Sequence, residues 1–120
     1  MQVLIVDAAN VIGSRPDGWW RDRPGAAQRL HRQLLGADLP ADEVLLVLEG
    51  RGRQGQSEGQ DGSVHTVHAP ASGDDTIVTL VESRAADADV TVVTADRALR
   101  DRIEAAGGRW VGPSWLLERL

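Results

Sequence analysis

Five carboxylates stand at positions from which they can act together: Asp7, Glu49, Asp74, Asp75 and Asp96. Asp7 ends the aliphatic run Val3 to Val6, Glu49 ends Val44 to Leu48, and Asp96 follows Val90 to Val93. Asp74 and Asp75 open a segment of helical period. If the three runs are strands of one sheet, all of these acids reach the same edge. A carboxylate ending a buried strand is costly unless something cationic neutralises it, and acids crowded on one rim repel each other enough to raise their pKa values or to recruit an ion. The chain has no Cys and places no His beside these acids, so an oxygen-only donor set suits Mg²⁺ or Mn²⁺ better than Zn²⁺. Such an ion can polarise a phosphodiester, activate a water and stabilise the leaving oxygen, which makes phosphodiester hydrolysis the natural reaction.

Helix capping accounts for some of the same residues. Asp96 before Arg97-Ala98-Leu99 is a good N-cap, as is Asp74 or Asp75 before its helix, and a cap contributes about 1 kcal/mol by itself. Asp7 precedes Ala8-Ala9, where no cap is expected, and this favours a functional role for it. Asn10 has the side chain for an Asx turn.

The elements that must position these acids follow from hydrophobic period. The three aliphatic runs are continuous rather than alternating, as in parallel strands buried on both faces. Between them Ala27, Leu30 and Leu34 share a helical face, then Ile77, Val81 and Ala85, then Leu99, Ile103 and Ala106. Weaker strands at Val64 to His68 and Arg109 to Val111, and a closing helix from about Ser114 to Leu120, complete a five-stranded βα succession. Gly36 and Gly107 fall where helix C-caps are expected. His65 and His68 are not i, i+2 neighbours on one strand face, so they do not form a catalytic pair. The length of 120 residues suits one domain spanning 1–120, whose core must be built from Val, Leu, Ile, Ala and four Trp because Phe and Tyr are absent.

Two loops break the pattern after strands, where ligands bind in open parallel sheets. Ser14 to Pro24 carries Arg15, Trp19, Trp20, Arg21 and Arg23, and the Gly/Gln-rich stretch Gly50 to Gly62 carries Arg51 and Arg53. The net charge of −5 argues against a phosphate-bearing partner at first sight. All 13 basic residues are Arg, however, the side chain shaped for bidentate phosphate contact, and the Trp pair between them can stack bases. One of the two Trp is expected to plug the core. Arg97, directly after Asp96, is placed to reach a phosphate.

The motifs Asp7-Ala8-Ala9-Asn10-Val11-Ile12-Gly13, Gly73-Asp74-Asp75-Thr76-Ile77-Val78 and Val92-Val93-Thr94-Ala95-Asp96-Arg97 resemble, in order and spacing, the three acidic motifs of NYN domains. These are PIN-like ribonucleases that include the bacterial YacP-like branch. The resemblance implies a three-layer α/β/α fold whose five-stranded parallel sheet has the order 3-2-1-4-5. It also implies Asp7, Asp75 and Asp96 as metal ligands, Asp74 as a further acid, and Asn10 as the residue that orients Asp7 or the scissile phosphate. Asp101 matches an acid that some relatives carry. Mg²⁺ or Mn²⁺ as cofactor, RNA as substrate and pairing into homodimers are implied in the same way. In place of a helical second crossover, this chain has the Gly-rich loop.

A receiver domain needs a late Lys and a haloacid dehalogenase phosphatase needs an Asp at position 9, where Ala9 stands, so both are set aside. Hydrolysis of small nucleotides, or metal-free binding of RNA or protein by an inactive relative, are the alternatives to a ribonuclease. The run Met1 to Val6 is too short and lacks the basic leader of a signal peptide, and no apolar stretch could span a bilayer, so a cytoplasmic protein is expected.

Overall fold

A computed structural model describes residues Met1 to Leu120. β1 (Gln2–Asp7) leads directly into α1 (Ala8–Gly13), and a 3₁₀ turn (Trp19–Arg21) precedes α2 (Arg23–Gly36). β2 (Glu43–Leu48), a second 3₁₀ turn (Gly50–Gly55), β3 (Gly59–Asp61) and β4 (Val64–His68) follow. The chain closes with α3 (Gly73–Arg84), β5 (Asp89–Val93), α4 (Arg97–Ala105), β6 (Arg109–Val111) and α5 (Pro113–Leu117).

One six-stranded sheet has the order β3-β4-β2-β1-β5-β6. Its five parallel strands fall in the expected succession, with β1 central between β2 and β5. The expected five-stranded, wholly parallel sheet is corrected in one respect: β3 adds a sixth, antiparallel strand on the β4 edge. Gly59, Gln60 and Asp61 are all exposed and carry no apolar pattern, so only backbone pairing with β4 makes them a strand.

The continuous aliphatic runs are buried on both faces, as their composition requires. Leu4, Val6, Leu46 and Leu48 pack against Val11, Leu30, Leu34 and Leu116 from α1, α2 and α5. Val3, Ile5, Leu45 and Val47 pack on the other side against Ile77, Val81, Leu99 and Ile103 from α3 and α4. Each fully buried Leu, Ile or Val contributes about 1.5–3 kcal/mol relative to exposure, so both helical layers are held by burial.

The helix starts are fixed by capping side chains. Asp22 accepts from the Gly25 amide at 3.0 Å, Ser72 from Asp74 at 3.1 Å and Asp96 from Leu99 at 2.9 Å. Gly107 follows α4 at φ +96°, the left-handed conformation a C-terminal stop requires. Gly36 instead is the last residue of α2, and the cap after it is Ala37. The closing helix is shorter than expected, ending at Leu117.

Gly55 marks a close approach. A side chain there would meet the Pro24 carbonyl oxygen, which lies where a Cβ would sit, so the second 3₁₀ turn can lie against the first turn of α2 only without one. Arg53 ties the same turn down, donating to the Gly50 carbonyl at 3.1 Å and the Ala69 carbonyl at 3.3 Å. No helix is long and apolar enough to cross a membrane.

Candidate active site

β1 and β5 lie side by side in parallel, with Val6 opposite Val93, and the chain turns to different sides of the sheet after them. Asp7 and Asp96 flank this switch point, where ligands bind in open α/β sheets.

Asp7 is only 3% exposed. Its Oδ2 accepts a hydrogen bond from Thr94 Oγ1 at 2.9 Å and its Oδ1 accepts from the Asn10 amide at 3.4 Å. The second bond makes Asp7 the N-cap of α1, a correction to the expectation that it has no cap to make. Burial pushes the Asp7 carboxyl up to about 6, the charges of Asp74 and Glu49 push the same way, and the Thr94 and Asn10 bonds oppose the shift.

Two residues tie Asp7 to the Asp96 turn. Thr94 is fully buried; its hydroxyl donates to Asp7 and accepts from the Asp96 amide at 3.2 Å. Asn10 Oδ1 accepts from the Ala95 amide at 2.9 Å, so Asn10 holds the β5–α4 turn as well as the start of α1. Sequence pattern does not single out Thr94, although it lies within the third acidic motif: its hydroxyl gains a role only through Asp7 and the Asp96 amide.

The remaining acids divide. Burial raises the Asp74 pKa, the charges of Asp96, Glu49 and Asp75 raise it further, and Arg102 opposes the shift. Asp7, Glu49, Asp74 and Asp96 therefore share one electrostatic neighbourhood. Glu49 is held there by accepting from the Gly73 amide at 3.1 Å. Asp75 reaches instead to Arg102 on α4 at 2.9 Å, and its side chain is 73% exposed. No three acidic or imidazole groups lie close enough to form a ready coordination sphere. The donor set is all oxygen, and Asp7 and Asp74 lack a cation at bonding distance. This fits a hard divalent ion held through one or two carboxylates with water completing its shell, and does not fit an all-protein cage.

The cationic residues gather beside α1 and α2. Trp20 is exposed, Trp19 is half-buried, and the two rings meet edge to face at 5.9 Å. Arg21 lies over Trp20 at 5.8 Å and Arg23 over Trp19 at 5.4 Å. Arg15 donates to Gln33 at 2.8 Å, whereas Arg51 and Arg97 are exposed. Arg100 stacks on Trp110 at 3.8 Å and belongs to the packing of α4. His65 lies near Glu43 at the far end of β2, and His68 pairs with the Gln56 carbonyl at 2.7 Å, so neither joins the acids. A cavity of about 350 Å³ opens between α1, the start of α2 and the second 3₁₀ turn, with Glu49 on its rim.

No protein-family model matches the sequence, and no curated protein matches it. Among solved structures, the fold is similar to the crystal structure of Rae1 (YacP) from Bacillus subtilis, with a TM-score of 0.71, 17% identity, and coverage of 98% of this chain and 72% of that one. A tryptophan-to-leucine mutant of the same Bacillus subtilis protein gives a TM-score of 0.67 and 18% identity over 98% of this chain and 74% of the other. What this chain shares with those structures is the mixed α/β fold with its mostly parallel sheet.

Proposed function

We propose that the chain is a metal-dependent ribonuclease that hydrolyses RNA phosphodiester bonds at the carboxyl edge of its sheet. The observation that carries this reading is Asp7, a carboxylate buried at the switch point, pushed up to about 6 and flanked by Asp74 and Glu49 with no cation paired to it. A structural cap needs neither the burial nor the neighbouring acids. The likeness in fold to Rae1 (YacP), whose parenthetic name is that of the branch the three acidic motifs resemble, supports the same reading.

In this proposal Asp7, Asp74 and Asp96 hold Mg²⁺ or Mn²⁺, directly or through water, and Glu49 adds negative charge beside them. Asp74 replaces Asp75 in that set because Asp75 is paired with Arg102. The bound ion would supply polarisation of the phosphodiester and a lowered pKa for the attacking water. Thr94 and Asn10 are positioning residues: they fix Asp7 and the Asp96 turn in one geometry. Arg15, Arg21, Arg23, Arg51 and Arg97, with Trp19 and Trp20, bind the strand by phosphate contact and stacking.

The test is cleavage of labelled single-stranded and hairpin RNA with Mn²⁺ or with chelator. Cleavage is expected only with metal, reduced at least roughly 100-fold by Asp74→Asn, a loss on the scale of one removed transition-state contact, and largely retained in Asp75→Asn. Hydrolysis of free nucleotides with RNA left intact would transfer the site to small-nucleotide chemistry. RNA binding without either activity would make the chain a binding module.

A further inference from the structure

The acids occupy only part of the carboxyl edge. Beside them, on the α1/α2 side of the sheet, the cavity of about 350 Å³ lies at the lower end of the roughly 300–1,000 Å³ range of small-ligand sites. It is room for one flat group rather than for a chain of them. Small residues leave it open: Ala8 and Ala9 from α1, Ala71 from the β4–α3 loop, and Gly50 and Gly52 from the second 3₁₀ turn. One wall is the half-buried Trp19 ring, which meets the Trp20 ring at right angles and lies beneath the Arg23 guanidinium. Arg23 and Arg51 also line the cavity, and neither forms an ion pair with a carboxylate. An apolar slot with an aromatic wall and two uncompensated guanidiniums is complementary to a planar ring that carries negative charge beside it. Glu49 belongs both to this cavity and to the neighbourhood of Asp7 and Asp74, so the two sites are contiguous.

We infer that the cavity is a subsite for one unstacked nucleobase of a single-stranded RNA, with Trp19 as its stacking surface and Arg23 and Arg51 on the adjoining phosphates. The inference rests on the ribonuclease reading for its polymer, because a captured base places the next phosphodiester toward the acids. Capture of one base also selects strands whose bases are free to leave their stack, so duplex RNA is excluded by geometry rather than by sequence.

The experiment measures fluorescence anisotropy of labelled hexaadenylate and hexauridylate in chelator, where no cleavage occurs, with a single abasic residue stepped through each position. In the wild-type protein one position is expected to weaken binding by roughly tenfold or more, the scale of one lost stacking contact, and the others to have little effect. Trp19→Ala removes the wall, while Ala9→Leu and Ala71→Leu fill the cavity at exposed positions. Each is expected to weaken the intact strand by a similar factor and to erase the abasic penalty, with an unchanged melting temperature in the two filled variants confirming the fold. A uniform abasic penalty, or one that persists in both filled variants, overturns the inference. Adenosine monophosphate binding more tightly than the hexamer, and lost in Ala9→Leu, would assign the cavity to a free nucleotide and overturn the strand assignment. A position-specific penalty in a protein that shows no metal-dependent cleavage would leave the subsite standing and remove the nuclease reading instead.

Discussion

Asp7 is where the fold and the proposed chemistry conflict. Its carboxyl is raised chiefly by burial to about 6 from an ordinary value of 3.8, so ionising it costs the native state more than the unfolded chain. The folded form then holds the extra proton between those two values, and the stability of the metal-free protein falls as pH rises through about 4 to 6. Two units correspond to about 3 kcal/mol, against about 1 kcal/mol for a hydrogen bond weakened in an amide. Asp7→Asn is therefore expected to stabilise the metal-free protein by roughly 2 kcal/mol at pH 8, with the gain vanishing near pH 4, as urea unfolding at the two pH values would show. An equal effect at both would mean that desolvation does not govern the group. The acids themselves could be read from sequence because each ends an apolar run or opens a helix. Which of Asp74 and Asp75 faces the others could not, since neighbours on a helix differ by about 100° and the phase of α3 is set by packing of Ile77 and Val81. Thr94 was hidden for a related reason: a hydroxyl has no role until its two partners are in place.

Among the elements, the buried strands and the three long helices were legible because period and burial agree. α1 and β3 were not. α1 has six residues and is held by its cap and by Val11, and β3 exists only through its pairing with β4. Both depend on neighbours that local pattern does not reveal. The contact of the second 3₁₀ turn with α2 is of the same kind, with Gly55 lying against the Pro24 carbonyl. Gly55→Ala forces backbone apart from backbone and is expected to destabilise by roughly 1–3 kcal/mol, the scale of an overpacked contact. It should also weaken strand binding by moving the wall that carries Arg51. Chemical denaturation together with the anisotropy assay would check both, and unchanged affinity in a destabilised protein would separate the turn from the binding surface.

For the molecule as a whole, the acidic balance of −5 does not set the charge of the proposed binding surface. The proposed strand-binding arginines lie mostly beside α1, α2 and the second 3₁₀ turn, while Asp74 and Asp96 open helices on the other face. Affinity for single strands should fall with salt by a slope of about 0.7 per phosphate contacted. Replacing Arg23 and Arg51 together by Gln should flatten the slope by about 1.4, while Arg100→Gln, which loses packing on Trp110, should leave it unaltered. A slope indifferent to Arg23 and Arg51 would place the strand elsewhere.

The central position of β1 bears on the order in which the sheet can assemble. One neighbour of β1, β2, begins at Glu43, but the other, β5, begins only at Asp89 and so closes a much longer stretch of chain. Until β5 docks, the second edge of β1 is open, and Asp7 lacks the Thr94 hydroxyl that holds it. A partly folded chain without that pairing carries an unpaired aliphatic strand edge, vulnerable to aggregation, and an incomplete acidic centre. The acidic centre is thus completed by a contact between residues 87 apart in the chain, and it forms only with the last pairing that closes the middle of the sheet.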